Sequence, residues 1–391
     1  MRILLVSDYA APDGGAEIAT QQLRDGLRAR GHEVRWLASS ARLSKTPSDA
    51  DVECFGTVGP MRTLVQSANP FARASLDRTI RTFDPDVVHV GMFLTQLSPL
   101  ILPLLHDRAS VYYAHWLRAI CPTGSKLLPD GTACGHRAGV ACRSQGCLPL
   151  HDWLPLMAQR QLLHRWRGCF TRIIANSHAT RDALLADGFP VTDVIRCGVA
   201  PPHGRATFGG VPTAIYCGRL TRQKGVQVLL EAWAAVSRAL PDALLLIAGD
   251  GPERAALERS ASPSVRFLGQ LTPHALQDVA QSAWVQVVPS VGFEAFGLVA
   301  VEAMLRGQPV VASRIGGLPE SVEHDVTGML VPPGDATGLG DALLALLQDR
   351  ARCQRLGDAG QRIARQRDTI DVHVDRFVAL YRELQQSTAV R

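Results

Sequence analysis

Short apolar runs that alternate with helical stretches are the feature that most constrains what this chain can fold into. The runs have the length of buried strands, and many are followed closely by glycine or proline. In chain order they cover residues 2–7, 33–38, 86–90, 110–115, 173–177, 193–198, 213–217, 243–248, 265–268 and 284–288. Such alternation predicts α/β, doubly wound domains with parallel sheets, in which ligands lie beyond the carboxyl ends of the strands.

A linker rich in proline and glycine divides this alternation into two series. Residues 200–204 read Ala-Pro-Pro-His-Gly, and a new strand-like run follows them. We therefore expect a first domain over residues 1–199 and a second over 205–368, each with its own core in a chain of 391 residues. An amphipathic stretch predicts a last helix within residues 369–391.

Charge and cysteine content narrow the class of function. A net charge of +5 over this length, without a motif that reads RNA or DNA, does not indicate nucleic-acid binding. Asp8 interrupts the first apolar run too early for a signal peptide, and no apolar stretch has the length of a membrane span. We expect a cytoplasmic protein whose nine cysteines are reduced unless they bind a metal.

The stretch from 289 to 320 places two carboxylates around the start of a predicted helix. Glu294 and Glu302 are eight residues apart, which on a helix separates them by roughly 12 Å and about 80° round the axis. Carboxylate pairs of glycoside hydrolases lie roughly 5 to 9.5 Å apart, so we expect separate roles for these two. The amides of Phe296, Gly297 and Leu298 open the helix, where the positive dipole end favours an anion.

Two cations follow the first strand of the second domain. Gly218 and Arg219 come directly after that strand, and Lys224 lies five residues further on. Arginine can hold phosphate oxygens in a bidentate fork, and lysine supplies a point charge. In the first domain, Gly14 and Gly15 follow the first strand and would let the backbone approach a ligand closely. Both loops are at the edge where this fold binds ligands.

These motifs together resemble the retaining glycosyltransferases of family four (glycosyl transferases group 1), which have the GT-B fold. The likeness rests on Glu294 and Glu302 with seven residues between them, on Phe-Gly-Leu-Val-Ala-Val-Glu-Ala-Met at 296–304 and on Gly-Gln-Pro-Val-Val-Ala-Ser at 307–313. It extends over nearly the whole chain. It implies two Rossmann-like domains facing a central cleft, with a terminal helix that crosses back to the first domain.

The resemblance implies a donor site in the second domain. Arg219 and Lys224, next to Gly218, would neutralise the diphosphate of a nucleotide-sugar, and Glu302 would bind its ribose hydroxyls. Glu294 and the amides of Phe296, Gly297 and Leu298 would hold the sugar. Charge that develops on the leaving diphosphate would then be stabilised without a metal.

The first domain would contribute His115 and the loop of Gly14 and Gly15 to the same donor. His115 stands at the carboxyl end of the run 110–115, where the family has a histidine that contacts the sugar. With Glu294, Arg219 and Lys224 it completes the expected catalytic set. Two positions depart from the family pattern, because Trp116 stands where many relatives have aspartate and Cys197 where asparagine is usual.

The implied function is transfer of a sugar from a nucleoside-diphosphate sugar to a hydroxyl acceptor, with retention of configuration and no cofactor. The acceptor would be a sugar, a lipid-linked molecule or a small molecule, in glycan, glycolipid or glycosylated-metabolite biosynthesis. Three alternatives stay open at this point. They are a nucleotide-sugar epimerase and a phosphorylase of the same fold, and a catalytically silent nucleotide-sugar-binding regulator.

A cysteine-rich loop over residues 118–150 is too long for an ordinary connection. It holds Cys121, Cys134, Cys142 and Cys147 and has little apolar content. Four thiolates would suit a structural zinc, which folds a loop by coordination, although these spacings match no common zinc motif and His136 could replace one sulfur. Reduced thiols in an acceptor loop are the alternative.

A basic and aromatic helix is predicted directly after this loop, over residues 151–167. Its tryptophans, leucines and arginines could lie on an anionic membrane, which would place the protein peripherally at the inner face of the membrane. The same residues could instead pack against the domain with a solvated basic face.

Overall fold

The computed structural model describes residues 1–11, 14–44 and 46–389 of the chain. The chain forms two compact units. Unit 1 contains Met1–Pro129, Gly135–Gly198 and the chain from Ile370 onward, and unit 2 contains Asp130–Cys134 and Val199–Thr369. Each unit has its own parallel sheet with connecting helices, which confirms the predicted α/β, doubly wound class.

Unit 1 is built on a seven-stranded parallel sheet. Its strands are β1 (Arg2–Ser7), β2 (Glu33–Ser39), β3 (Val52–Cys54), β4 (Val87–Val90), β5 (Ser110–Ala114), β6 (Arg172–Ala175) and β7 (Asp193–Val194). They are ordered β3-β2-β1-β4-β5-β6-β7 across the sheet. The strand order therefore reverses between β1 and β4, which is where doubly wound sheets open a crevice for ligands.

Both edges of this sheet differ from the sequence prediction. β3 was not predicted, because three residues that include Glu53 make no apolar run. The predicted strand 193–198 pairs with β6 only over Asp193 and Val194. Beyond them the Ile195 amide donates to the Ala175 carbonyl at 3.0 Å, and the Tyr113 hydroxyl donates to the Ile195 carbonyl at 2.8 Å.

Six α-helices lie in the described part of the first 198 residues. They are α1 (Gly15–Ala29), α2 (Arg62–Ser67), α3 (Pro70–Phe83), α4 (Val140–Ser144), α5 (Leu150–Trp166) and α6 (His178–Ala186). Side-chain caps set two of their starts, since Asn69 accepts from the Ala72 amide and Ser177 from the Thr180 amide.

Helix α5 is the basic, aromatic helix that the sequence left with two interpretations. It buries Leu156 and Leu163 in the unit. Thr63 of α2 donates to its Asp152 at 2.6 Å. The structure therefore favours the interpretation of α5 as a packing helix. Within the described part of the chain, no helix is long and apolar enough to cross a membrane.

Unit 2 repeats the architecture with six parallel strands. They are β8 (Thr213–Cys217), β9 (Leu244–Ala248), β10 (Val265–Gly269), β11 (Val285–Val288), β12 (Val310–Ser313) and β13 (Gly328–Val331). Their order is β10-β9-β8-β11-β12-β13, so the reversal lies between β8 and β11.

Seven helices connect and cover these strands. They are α7 (Val226–Ala239), α8 (Arg254–Ser260), α9 (Pro273–Ser282), α10 (Leu298–Leu305), α11 (Leu318–Ser321), α12 (Ala336–Leu347) and α13 (Arg350–Arg367). The core forms where α7 and α12 meet the sheet, around the fully buried Trp233, Val287 and Leu343. β8, β9 and β11 are buried almost throughout, which explains why they were visible as continuous apolar runs.

The last helix, α14 (Ile370–Ala389), belongs to unit 1. Arg30 at the end of α1 forms ion pairs with Asp371 and Asp375. At Gly26 a Cβ atom would lie 2.6 Å from Val374 Cγ2, so the two helices are in close contact. Further along, the Tyr381 hydroxyl lies 2.6 Å from His89 Nδ1 of β4. The C-terminal segment thus completes the core of the unit that contains the N-terminus.

Candidate active site

The carboxyl edge of the unit 2 sheet gathers loops that are far apart in sequence. The loop after β8 contacts the loop after β11, since the Val291 and Gly292 amides both donate to the Gln223 carbonyl. A Cβ atom on Gly225, which has φ of 72°, would lie 1.9 Å from the Pro289 carbonyl oxygen. A Cβ on Gly316 would lie 2.0 Å from the Glu294 carbonyl oxygen. Backbone contacts this close fix three loops relative to one another.

Lys224 and Glu294 form an ion pair at this edge. Lys224 Nζ lies 2.7 Å from Glu294 Oε2, and the Ser290 hydroxyl donates to the same oxygen at 3.0 Å. Their side chains are 25% and 17% exposed. A half-buried pair of this kind is held in place by its loops yet stays open to a ligand. Two residues that the sequence predicted for separate tasks are therefore direct neighbours.

Arg219 extends from a loop that its backbone anchors. The Gly218 amide donates to the Ala248 carbonyl at 3.0 Å, and the Tyr216 hydroxyl donates to the Arg219 carbonyl at 2.8 Å. The side chain of Arg219 is exposed. The loop is thus anchored at its base, while the guanidinium is exposed to solvent, where an anion can approach it.

Helix α10 begins at this edge with the residues expected to face an anion. Gly297 precedes it with φ of 87°, a left-handed conformation that favours glycine, and Phe296 before it is buried. The carbonyl of Gly297 accepts from the Ala300 amide. The amide of Leu298 belongs to the first turn, whose N–H groups have no acceptor inside the helix. The positive end of the helix dipole thus lies at the edge that also carries Lys224 and Arg219.

Glu302 lies one helical turn before the end of α10 and is half-buried. Loss of surrounding water raises the pKa of its carboxyl group, and the positive charge of Arg306 opposes that rise. A carboxylate in such a recess is suited to accept hydrogen bonds from neighbouring hydroxyl groups of a ligand.

His115 follows β5 at the carboxyl edge of the unit 1 sheet. Its ring packs edge-on against Tyr113 at 4.4 Å between centroids, and its carbonyl accepts from Asn176 Nδ2 at 3.2 Å. Burial lowers the pKa of His115 to about 3, and the nearby His373 adds to the effect. The imidazole is therefore neutral at physiological pH, so it can donate or accept a hydrogen bond but carries no charge.

Gly14 and Gly15 stand at the start of α1 on the same edge of unit 1. Gly14 precedes the helix in an extended conformation, and its carbonyl accepts from the Ile18 amide. A Cβ atom on Gly14 would lie 2.6 Å from Glu17 Oε2, so a larger residue here would require the Glu17 side chain to move. Asp13, which precedes the pair, lies outside the described residues.

Asp8 is a buried acid at this edge that was noted in the sequence only as the end of an apolar run. Its carboxylate accepts from the Thr95 amide and hydroxyl and from the Gln96 and Leu97 amides, at 2.7 to 2.8 Å. Burial raises the pKa of this carboxyl group while the hydrogen bonds oppose the rise. The arrangement ties β1 to the loop after β4. An aspartate that directly follows a buried strand was the signal that could have identified it.

The cysteine-rich loop does not assemble a metal site in this structure. Cys121, Cys142 and Cys147 fall in unit 1, whereas Cys134 belongs to the short segment that groups with unit 2. Across residues 1–11, 14–44 and 46–389, no cluster of three or more His, Cys, Asp or Glu side chains is arranged to hold a metal ion. Zinc binding by these cysteines stays a prediction.

Two family models match this chain. The family described as Glycosyltransferase Family 4 matches residues 13–201, and the one described as Glycosyl transferases group 1 matches residues 211–349. The phosphatidyl-myo-inositol mannosyltransferase of Mycobacterium leprae is 37% identical to this chain over 94% of its length and 93% of the relative. A glycogen synthase of Mycobacterium tuberculosis is 29% identical over 95% of this chain and 91% of the relative.

Solved structures show the same fold. A sucrose-phosphate synthase from Thermosynechococcus elongatus aligns with a TM-score of 0.75 over 99% of this chain and all of that one, at 23% identity. Anabaena HepE, solved with UDP and glucose, aligns with a TM-score of 0.70 over 97% of this chain and 99% of that one, at 21% identity. The chain therefore belongs to glycosyltransferase family 4 (glycosyl transferases group 1) and is a glycosyltransferase of GT-B fold that acts on nucleoside-diphosphate sugars.

Proposed function

We propose that the protein transfers a sugar from a nucleoside-diphosphate sugar to a hydroxyl acceptor with retention of anomeric configuration and without a catalytic metal. The observation that carries this proposal is the convergence of Arg219, Lys224 and the first turn of α10 at one edge of unit 2. Cleavage of the anomeric bond leaves negative charge on the diphosphate. Two cations and a helix N-terminus can stabilise that charge directly.

The ion pair suggests how the sugar and the diphosphate share this edge. Lys224 Nζ donates to Glu294 Oε2 at 2.7 Å, and a diphosphate would compete for the same ammonium group. Glu294 would then turn its carboxylate toward the sugar hydroxyls, next to the amides of Gly297 and Leu298. Glu302 would accept from the ribose hydroxyls. From unit 1, the neutral His115 and the Gly14–Gly15 turn would contact the donor, as the family resemblance implies.

Product stereochemistry tests the reaction type. NMR of the first-formed product should show the anomeric configuration of the donor, and chelators should leave the rate unchanged. An inverted product would exclude the proposed mechanism. If chelators abolish the activity and magnesium or manganese restores it, the reaction requires a metal and this part of the proposal is wrong.

Donor hydrolysis distinguishes transfer from silent binding. A transferase releases some free sugar when water replaces the acceptor, whereas a silent regulator releases none. The names of the relatives describe synthases and transferases, which favours transfer over epimerisation or phosphorolysis. Because HepE was solved with UDP and glucose, a thermal-shift panel of uridine and guanosine diphosphates and their sugars is the first test of donor identity.

We also propose that a structural zinc orders the cysteine-rich loop in the isolated protein, through Cys121, Cys134, Cys142 and Cys147. Zinc should be present at about one ion per chain in protein purified without chelator or metal-affinity resin. Cys134→Ser should lower zinc content and impair acceptor use more than donor binding. The matched control is Cys169→Ser, which changes a half-buried cysteine outside the loop. Zinc content well below one per chain would end this proposal.

A peripheral contact with anionic membrane is proposed for an exposed apolar patch on unit 1. Phe55, Met61, Leu64 and Phe71 are 46% to 60% exposed, and the phenylalanine rings touch at 5.4 Å. Arg62 adjoins Met61 but its Nε is buried, so the attraction to anionic headgroups rests on the net charge of +5 of the chain. Leu64→Asp should reduce flotation with phosphatidylglycerol vesicles, whereas Leu185→Asp, on another exposed leucine of unit 1, should not. Equal flotation of both variants would exclude this surface.

A further inference from the structure

Arg306 carries a buried guanidinium one helical turn after Glu302, the residue proposed to bind the ribose. Arg306 caps the C-terminus of α10, and its amide donates to the Glu302 carbonyl at 3.2 Å. The residue is only 5% exposed. Burial of a permanent positive charge is costly unless a negative charge lies nearby. Arg306 therefore needs an acid within its surroundings.

The hydrogen-bond partner of this guanidinium is neutral. Arg306 Nε donates to Gln308 Oε1 at 3.0 Å. Gln308 is fully buried, and its amide nitrogen donates to the carbonyls of Ala280 and Ala283. The glutamine fixes the orientation of the arginine but supplies no negative charge.

Glu302 is the acid whose charge reaches Arg306. The two residues are one helical turn apart on α10, and they interact through space rather than through a direct hydrogen bond. Loss of water raises the pKa of Glu302 and lowers that of Arg306, while each charge opposes the shift of the other. Each therefore stabilises the ionised form of its neighbour.

Among the described residues, the other groups near this end of α10 are uncharged except for one exposed ion pair. Cys217 of β8 faces both residues, and burial raises the pKa of its thiol to about 12, so it is neutral. Gln286 of β11 and Gln361 of α13 are uncharged. Arg205 approaches Gly307 but is exposed and paired with Asp358.

We propose that Arg306 is a positioning residue that keeps Glu302 ionised and thereby sets the lowest pH at which the protein binds a nucleotide through its ribose. This inference rests on the proposed role of Glu302. A carboxylate offers acceptors to two adjacent hydroxyl groups, whereas a protonated acid must use one oxygen as a donor. Nucleotide binding should therefore weaken when Glu302 takes up a proton.

The test compares Arg306→Gln, Arg306→Lys and Glu302→Gln with the wild-type chain. The pKa of Glu302 is read from carbon-13 NMR of labelled glutamate, with the resonance assigned by its loss in Glu302→Gln. The dissociation constant of UDP, or of GDP if only that nucleotide binds, is measured by calorimetry between pH 5 and 8. Arg306→Gln should raise the midpoint of the titration by about 1 to 3 pH units, because an opposite charge is removed. Arg306→Lys should restore most of the wild-type value.

Binding should follow the titration. In Arg306→Gln, nucleotide affinity should fall at a higher pH than in the wild type, and in Glu302→Gln it should no longer depend on that proton. The 2′,3′-dideoxy nucleotide, which lacks the hydroxyl groups, should show none of this dependence. An unchanged Glu302 titration in Arg306→Gln overturns the inference.

Two outcomes separate this inference from other failures. If the wild type binds no nucleotide at any pH, the proposed donor site is wrong, while the NMR titration still decides the role of Arg306. If Arg306→Gln does not fold, the double variant Glu302→Gln, Arg306→Gln should restore folding, since both charges are then absent. Failure of that rescue would show that Arg306 serves packing alone and would overturn the inference.

Discussion

The two sheets of this protein share one strand order, yet their carboxyl edges differ in chemistry. In both, a strand order that reverses at the first strand of the unit creates the ligand edge. In unit 2 that edge carries Lys224, Glu294 and Arg219, a set of opposite charges partly open to water. In unit 1 the same edge carries the neutral His115, packed on Tyr113.

Behind His115 the difference continues into the core of unit 1. His89 and His373 pack around Phe377, with ring centroids 4.9 Å away from it in both cases. Burial lowers the pKa of His89 well below its ordinary value and that of His373 to about 4. The comparison teaches that the Rossmann-like sheet decides where a ligand can bind. The residues at the edge of the sheet decide which charge the ligand can have.

The largest effect should appear on acidification, because unit 1 should lose stability at a higher pH than unit 2. A histidine with a lowered folded pKa stabilises the fold fully above its unfolded pKa of about 6.5, and that contribution is lost as pH falls toward the folded value. For His373, with a folded pKa of about 4, the loss between these limits is about 3 kcal/mol. The raised pKa of Glu302 in unit 2 has the opposite sign, because protonation removes a cost.

Hydrogen exchange followed by mass spectrometry at pH 7 and pH 5 checks this difference. Peptides of β4, β5 and α14 should lose protection at pH 5 before those of β8 and β11. His373→Gln retains a donor for the Arg196 carbonyl, which His373 Nδ1 now contacts at 2.7 Å, and should reduce the acid sensitivity. Earlier loss of protection in unit 2 would contradict the comparison.

The next effect concerns the charged edge. Lys224→Ala should lower kcat at saturating donor by roughly 10²-fold or more, because a cation is lost where the diphosphate gains charge. Lys224→Arg should retain part of the rate. Arg238→Ala, which removes an exposed cation at the end of α7, serves as the control and should leave turnover unchanged. A Lys224→Ala protein that folds and turns over normally would remove Lys224 from the proposed mechanism.

The smallest of the three effects belongs to His115 at the carboxyl edge of unit 1. His115→Ala should lower kcat/KM by roughly three- to tenfold, which is what one uncharged hydrogen bond is worth, and should leave UDP affinity unchanged. Because the pKa of His115 is about 3, the ratio of wild-type to variant rates should be constant from pH 5.5 to 8. A ratio that changes near pH 6.5 would mean that His115 acts as a charged group.

The strands and the chemical type of the donor edge were predictable because they depend on local sequence. β1 and β8 have the bounds that the apolar runs indicated, and α10 begins at Leu298, within the stretch expected to open it. Buried parallel strands are continuous apolar runs, and the glycines and charges that follow them fall at one edge by topology alone. The short edge strand β3 was missed because it buries too little to have an apolar pattern.

The partners of individual side chains were not predictable, because they join distant parts of the chain. Seventy residues separate Lys224 from Glu294, and 292 separate His89 from Tyr381. The sequence indicated neither contact. The need of Arg306 for a negative charge is likewise invisible until its burial is known.

By itself, the sequence determined two doubly wound units, the family and the residues that follow each strand, since periodicity and motif spacing are properties of the chain. Only the tertiary structure decided that Lys224 forms an ion pair with Glu294 and that His115 is neutral. Only the structure placed a buried cation beneath Glu302. Ionisation depends on how much water and which charges surround a group, and packing alone sets both.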